Sequence, residues 1–567
     1  MRKSFFLVPL LALAMSSCSS DEPAVVPTPD SGDGFYATVN FSMPKGSRAE
    51  ASVGTETGKD YENKVSSLLV VLAEKVADTD NYSFITYAYS GSVDATVDNK
   101  FTICFEDKAS LFEKAGQNVY LFAYCNPATT LVNKVKGLAK GVTLNGADEL
   151  LHEICAGSAT ELAKTWVENG FLMTNYEIYE SKLGTETELK AATDKTKAWP
   201  LTTSTNPLAV MRTAVRFDYK DGATAKDDAD NTIALTYEIN DAAGDKVGSV
   251  KLTRAALFNM RDRFYYLPRI TDADGTLTLC PGTIDTDYNF GSFMTTPANR
   301  TFLNGLTFVN ESGDAEEGFD PTKVITGANE WCNLQDFVDG KKVEDTDTPW
   351  NADGVADKQG YRIWRYCTEN TFPYNEEDFS TNEATGFVFE AEMTLDPVIV
   401  GATTIQPDGT NPMFMYGTKM YANAQQLCQT AHNNPSTTMN EDVNAVFTYD
   451  VDEAGNVSNP KYKTGVEGAI VDNKTVLTHN ISIYWPNAGK YYCYYYYFNQ
   501  HNPSAEPTTV AVDEFATVRN NVYKLSVTKI SEFASFVPPT EIKPYEVYFQ
   551  VDVEVRPWTV RINNIEF

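Results

Sequence analysis

The sequence predicts a fold dominated by β-structure, β-sandwiches with a few inserted helices. Three observations predict it. Tyr and Phe each number 31 among 567 residues, a bias toward residues that pack well on pleated surfaces. Apolar residues alternate with polar ones in short runs bounded by turn residues. No solenoid period is evident, and strands do not alternate regularly with long helical patterns as a βαβ array would require. The length fits two all-β domains of about 250 residues as well as three or four of about 150.

Taken in chain order, the first segment is an address. Arg2 and Lys3 precede the apolar run Phe5 to Met15, too short to span a bilayer but suited to a signal peptide core. The run ends in Met15-Ser16-Ser17-Cys18, small residues before a cysteine, as in a lipobox whose thiol is diacylated. Residues 1–17 are thus expected to be a lipoprotein signal, Cys18 the lipid site, and the Pro-rich stretch to Gly34 a tether beside the membrane. No later segment reaches eighteen consecutive apolar residues.

Phe35 to Met43 alternates strictly. Phe35, Ala37, Val39, Phe41 and Met43 share one face, and Tyr36, Thr38, Asn40 and Ser42 the other, the pattern of a half-buried strand. Pro44-Lys-Gly-Ser-Arg-Ala49 follows without periodicity. Further strands are expected at 64–72, 83–89, 101–105 and 118–124, helices at 128–139 and 147–167, and strands again at 209–219, 233–239 and 247–257. Gly/Asp-rich segments near 272–275 and 281–287 suggest a boundary, giving domains 49–272 and 273–567. In the second part, strands are expected at 386–393, 398–404, 413–416, 445–449, 478–484, 491–498 and 521–530, with a last one from Val547.

Charge and chemistry narrow the function. Lys+Arg 46 against Asp+Glu 77 gives a net charge of −31, and so acidic a surface repels nucleic acid and anionic membranes. The four histidines, His152, His432, His479 and His501, are far apart, and no His-rich metal site or cofactor motif is present. His501 reads as a loop residue, and no catalytic residue is assigned, so an enzyme is not expected. Eight cysteines follow Cys18 with no C-x-x-C pair. Free buried thiols and disulfides fit them equally. The aromatic run Tyr491 to Phe498 could serve as a carbohydrate platform, but aromatics on both faces suit a central strand covered on both sides.

The C-terminus mirrors the start. Phe549, Val551, Val553 and Val555 face one way, Gln550, Asp552, Glu554 and Arg556 the other. After Pro557 the phase slips to Trp558 and Val560, as a bulge would cause. A chain with an alternating strand at each end, and a basic cut site at Arg48-Ala49 behind the first, could lose one strand and have its groove filled by another molecule.

The lipobox, the strand ending in Ser42-Met-Pro-Lys-Gly-Ser-Arg-Ala49 and the terminal V-x-V-x-P-W-x-V resemble the type V fimbrillins of bacteroidete bacteria, the short-fimbria major subunit type above all. Met211-Arg-Thr-Ala-Val-Arg-Phe217, Glu369-Asn-Thr371, Gly489-Lys-Tyr-Tyr492 and Val518-Arg-Asn-Asn-Val-Tyr523 support the resemblance. It implies two tandem transthyretin-like Greek-key sandwiches and no cofactor or metal. It implies export to the outer membrane as a lipoprotein with a propeptide 18–48, cut after Arg48 by an Arg-specific protease. It also implies extracellular fimbriae built by donor-strand exchange. Phe35, Ala37, Val39, Phe41 and Met43 would form the removable strand, and Phe549, Val551, Val553, Val555 and Trp558 the donor. Partners would be further copies of the chain, anchor and tip subunits, and a host or bacterial receptor, in adhesion and biofilm formation. Two other readings are an accessory or tip adhesin, and a surface glycan-binding lipoprotein of a polysaccharide-uptake system that keeps its lipid and needs no cut.

Overall fold

The computed structural model describes residues 34–42, 56–93, 100–146, 149–156, 166, 168–261, 263–271, 277–280, 289–290, 302–303, 331–341, 355–371, 384–400, 403–464, 479–501, 514–534 and 549–559. Three sheets carry most of it. The first has nine strands, ordered Trp199–Pro200, Phe35–Ser42, Leu208–Arg212, Met173–Asn175, Asn118–Cys125, Leu68–Lys75 and Tyr82–Ser90. Lys100–Phe105 and Tyr179–Lys182 join it by pairing with Phe35–Ser42 and Asn118–Cys125.

This sheet is buried on both faces. Leu68, Val70 and Leu72 enter one apolar cluster with Phe35, Val39 and Phe41. Leu69, Val71 and Ala73 enter another with Leu131, Trp166 and Phe264. A strand covered on both sides needs a continuous apolar run, which explains why Leu68 to Ala73 does not alternate.

Two five-stranded sheets form a sandwich. One is ordered Glu56–Thr57, Phe549–Thr559, Asn521–Ile530, Ala214–Asp221 and Arg362–Thr368. The other runs Thr236–Asn240, Lys246–Phe258, Gly386–Leu395 and Tyr491–Phe498, with Cys332–Asn333 paired to Lys246–Phe258. Phe217, Tyr219, Tyr523 and Leu525 from the first share a core with Val250, Leu257, Phe387 and Phe389 from the second. Trp364 stacks on Phe387 with ring centroids 4.5 Å apart. Gly386 lies where the chains approach closely: a Cβ there would meet the Phe258 ring and the Tyr497 carbonyl oxygen at 2.5 Å each. The carbonyl belongs to a paired strand and cannot swing aside. Gly386→Ala is expected to cost about 1–3 kcal/mol of unfolding free energy, measured by urea denaturation.

Several expectations need correction. Strands between Ala214 and Phe258 pair with strands after residue 330, so the sheets cross the division expected at 272/273. The turn-rich composition there marks loops between short strands such as Arg269–Thr271 and Leu277–Leu279, not a break between cores. The expected strand 209–219 is two, Leu208–Arg212 and Ala214–Asp221, which enter different sheets on either side of Thr213. Instead of a helix from 147, Leu150–His152 is a 3₁₀ turn and Ile154–Ala156 a short strand paired with Arg263–Tyr265. Residues 157–165 lie outside the described ones.

Among the described strands, Tyr491–Phe498 pairs with Gly386–Leu395 and ends the order of its sheet rather than lying centrally, though Tyr494 and Tyr496 on its second face also pack, against a cluster with Phe258 and Val388. Tyr491, Cys493 and Tyr495 are buried in the sandwich core, while Tyr492, Tyr494 and Tyr496 are only half-buried. Not expected from the periodicity are Ala424–His432 and Thr438–Val446, short helices capped by the side chains of Asn423 and Thr437. They cover one face of the three-stranded sheet Lys419–Tyr421, Met413–Tyr416 and Ile481–Tyr484.

Candidate functional site

Phe35–Ser42 lies inside its sheet, antiparallel to Lys100–Phe105 from Phe35↔Phe105 to Asn40↔Lys100. On its other side it runs parallel to Trp199–Pro200 and Leu208–Arg212, with Phe41 opposite Leu208. Phe35, Ala37, Val39 and Phe41 are buried in one cluster as the alternation requires. Phe35 and Phe41 pack beside Phe105 and Phe101, at centroid separations of 6.2 and 5.4 Å. Tyr36 and Thr38, expected on an open face, are buried as well. The Tyr36 N–H donates to Ala192 O at 3.0 Å, and Asn40 Nδ2 to Thr202 O at 2.8 Å. Phe35, Val39 and Phe41 together bury apolar surface worth roughly 5–9 kcal/mol. Cys18, Met43, Arg48 and Ala49 lie outside the described residues.

The C-terminal strand Phe549–Thr559 is antiparallel to Asn521–Ile530, from Ile530↔Phe549 to Asn521↔Pro557. Its register shifts between Val527 and Lys529, while Val551 to Pro557 pair without a break. This register shift sits in the partner strand; the ladder ends at Pro557, so the phase slip expected after it lies beyond the pairing. Its far end runs parallel to Glu56–Thr57, with Glu56 opposite Trp558. Phe549, Val551, Val553, Val555 and Trp558 all lie on this strand; their side chains are outside the described ones. In the single chain, both terminal strands are paired with their own sheets.

Three of the four supporting motifs meet in a buried polar seam where the sheets join. Arg216 forms a bidentate pair with Asp218, Nε to Oδ1 at 2.7 Å and Nη2 to Oδ2 at 2.6 Å. Its Nη1 also donates to both carboxylate oxygens of Glu62 at 3.3 Å. Burial pulls the Arg216 guanidinium down, but Asp218 and Glu62 outweigh it and hold it well above its ordinary value. Burial brings Arg212 down to about 10, with Glu62 opposing. The Arg212 N–H donates to Asn520 Oδ1 at 3.3 Å. Arg519 pairs bidentately with Glu369 and donates to the Tyr266 and Tyr265 carbonyls at 3.0 and 2.7 Å. Asn370 exchanges two 2.8 Å backbone hydrogen bonds with Thr517. Gly489 to Tyr492 lies apart, a turn with φ +80° at Gly489 leading into the aromatic strand.

His501 lies in the loop after the aromatic strand, as expected, and is buried there, with Nδ1 2.9 Å from Tyr523 Oη. All eight cysteines after Cys18 are free thiols. Burial pushes Cys280, Cys332, Cys367, Cys428 and Cys493 up to about 12, which leaves them unreactive. Among the described residues no group of His, Cys, Asp and Glu is placed to hold a metal ion, and no helix is long and apolar enough to cross a membrane.

Residues 490–564 match the family model described as major fimbrial subunit protein type IV, fimbrillin, C-terminal. Over this stretch the chain is similar to the C-terminal region of fimbrillins. The fimbrillin match spans the aromatic strand, Asn521–Ile530 and the C-terminal strand. Loose structural likenesses run along most of the chain. A fimbrilin (FimA) from Porphyromonas gingivalis is 14% identical, with 92% of this chain and 98% of that one covered, at a TM-score of 0.36. The tip fimbrial protein Mfa3 from the same organism is 9% identical, with 93% and 100% covered, at 0.33. A fimbrial assembly protein from Parabacteroides distasonis is 10% identical, with 64% and 100% covered, at 0.24. No curated protein matches the chain.

Proposed function

We propose that the chain is a structural subunit of a cell-surface fimbria, exported as a lipoprotein, cut after Arg48 and polymerised by donor-strand exchange. The observation that carries this reading is the fimbrillin match over 490–564, which contains the C-terminal strand. The placement of Phe35–Ser42 between strands on both sides supports it. Its removal would leave a slot lined by backbone donors and acceptors on two edges and by apolar side chains, the template for β-strand addition. In this reading, the unit ending at Arg212 accepts, and the unit beginning at Ala214 supplies the donor, each a transthyretin-like sandwich. Lipid at Cys18 would hold the precursor to the outer membrane, and loss of 18–48 would free the subunit to join the fibre. Its partners are then its own copies, anchor and tip subunits, the Arg-specific protease, and a receptor on host or bacterial surfaces.

Two measurements test the maturation route. The precursor should incorporate labelled palmitate, and Cys18→Ala should abolish labelling. N-terminal sequencing of surface fibres should read Ala-Glu-Ala-Ser-Val, and Arg48→Ala should accumulate uncut, unassembled precursor. A mature chain that starts at acylated Cys18 would instead favour a glycan-binding lipoprotein.

A further inference from the structure

A short turn just after the expected cut site is fastened to the sheet that holds the C-terminal strand. Asp60–Asn63 is a 3₁₀ turn, and its Glu62 side chain is fully buried. The carboxylate accepts from Tyr366 Oη at 2.5 Å and from Arg216 Nη1 at 3.3 Å. It also accepts from the Lys59 N–H at the start of the turn. Arg212 Nε donates to the Glu62 carbonyl at 3.0 Å, and Arg212 Nη2 to the Asn63 side chain. Tyr61 Oη lies 2.7 Å from Tyr366 Oη. The partners stand on Leu208–Arg212, Ala214–Asp221 and Arg362–Thr368, which are interior or paired strands.

Two residues before Lys59, Glu56–Thr57 pairs in parallel with Trp558 and Thr559. That pairing forms the outer edge of the sheet, so the C-terminal strand has a partner on each side: Asn521–Ile530 along Phe549–Pro557, and Glu56–Thr57 at Trp558–Thr559. A two-residue parallel pairing cannot sustain itself, because the entropy of ordering two residues exceeds the net gain from their ladder hydrogen bonds. Something must hold the segment in place, and among the described residues the nearest anchor is the Glu62 turn.

We propose that Glu62 is a positioning residue for strand exchange: its buried turn clasps residues 56–57 against the C-terminal strand and sets how readily that strand leaves its own sheet. The inference rests on the donor-strand reading above. Cutting at Arg48 would release the first strand but leave this clasp closed, because the clasp lies wholly downstream of the cut. The C-terminal strand then stays protected at its end until a neighbour's slot competes for it.

Amide hydrogen exchange on the full, uncut precursor tests the clasp without requiring fibres. Glu62→Ala leaves Arg216 paired with Asp218, and should raise exchange at 549–559 roughly tenfold while Leu68–Lys75 stays protected. Of the two N–H groups at Glu56 and Thr57 only one faces the C-terminal strand; the double substitution Glu56→Pro, Thr57→Pro removes it whichever it is, without touching the turn, and should give the same rise. It decides the matter if Glu62→Ala does not fold. Unchanged exchange at 549–559 in the proline variant overturns the proposal, as does an equal rise in every strand. Cut precursor is then followed for assembly: faster fibre growth in the variants is expected. Raised exchange without any fibre formation, wild type included, would leave the clasp standing and overturn the fimbrial reading instead.

Discussion

Cells producing only Val553→Lys should display folded, cut subunits and almost no fibres. In the exchange proposed above, strand addition would succeed only by a narrow margin. Four large apolar side chains on the donor supply roughly 6–12 kcal/mol, and its ladder hydrogen bonds add about 0.5–1.5 kcal/mol each. Ordering the donor takes back about 1–2 kcal/mol per residue. The donor must also give up its pairing with Asn521–Ile530, in which Val553 stands opposite Leu525. An ammonium forced into a site suited to valine adds several kcal/mol of desolvation, enough to shift the exchange by more than about a hundredfold. Glu554→Lys, on the alternate face, should assemble far better. Electron microscopy of the cell surface reads both outcomes. Fibres of normal length from Val553→Lys, or from a chain lacking residues 546–567, would place the donor elsewhere.

The parts legible in the sequence are those that obey a period. Phe35, Ala37, Val39 and Phe41 announce a strand because one face is apolar, and the structure buries those four residues. The burial of Tyr36 and Thr38 is not legible, since no local pattern marks it, and the strand's backbone partners at residues 192–202 come from far along the chain. Leu150, Leu151 and Ile154 have helical spacing, but three residues satisfy a turn followed by a strand just as well. Helices Ala424–His432 and Thr438–Val446 escape notice because Asn, Gln and Thr dilute their apolar stripes. Their only local signals are the caps Asn423 and Thr437. The seam around Arg212, Arg216, Glu369 and Arg519 has no period at all. Charged residues more than a hundred positions apart carry no mark of being partners, so their short motifs gain meaning only once the strands are laid side by side.

That seam predicts the largest stability effect. Arg519 and Glu369 are nearly inaccessible, with side-chain exposures of 3% and 9%. Glu369→Ala would leave a guanidinium buried with only the Tyr265 and Tyr266 carbonyls to face. Neutral acceptors do not replace a carboxylate, and stranding one member of a buried pair costs about 3–5 kcal/mol. Such a loss is a large share of the total for most proteins, so the urea midpoint should fall sharply in Glu369→Ala. Removing both charges is a different experiment. Glu369→Leu with Arg519→Met takes away the attraction and both desolvation penalties together, and should recover most of the lost stability. If the double variant were no better than Glu369→Ala alone, the pair would matter through the backbone carbonyls that Arg519 ties together, and the charge account would be wrong.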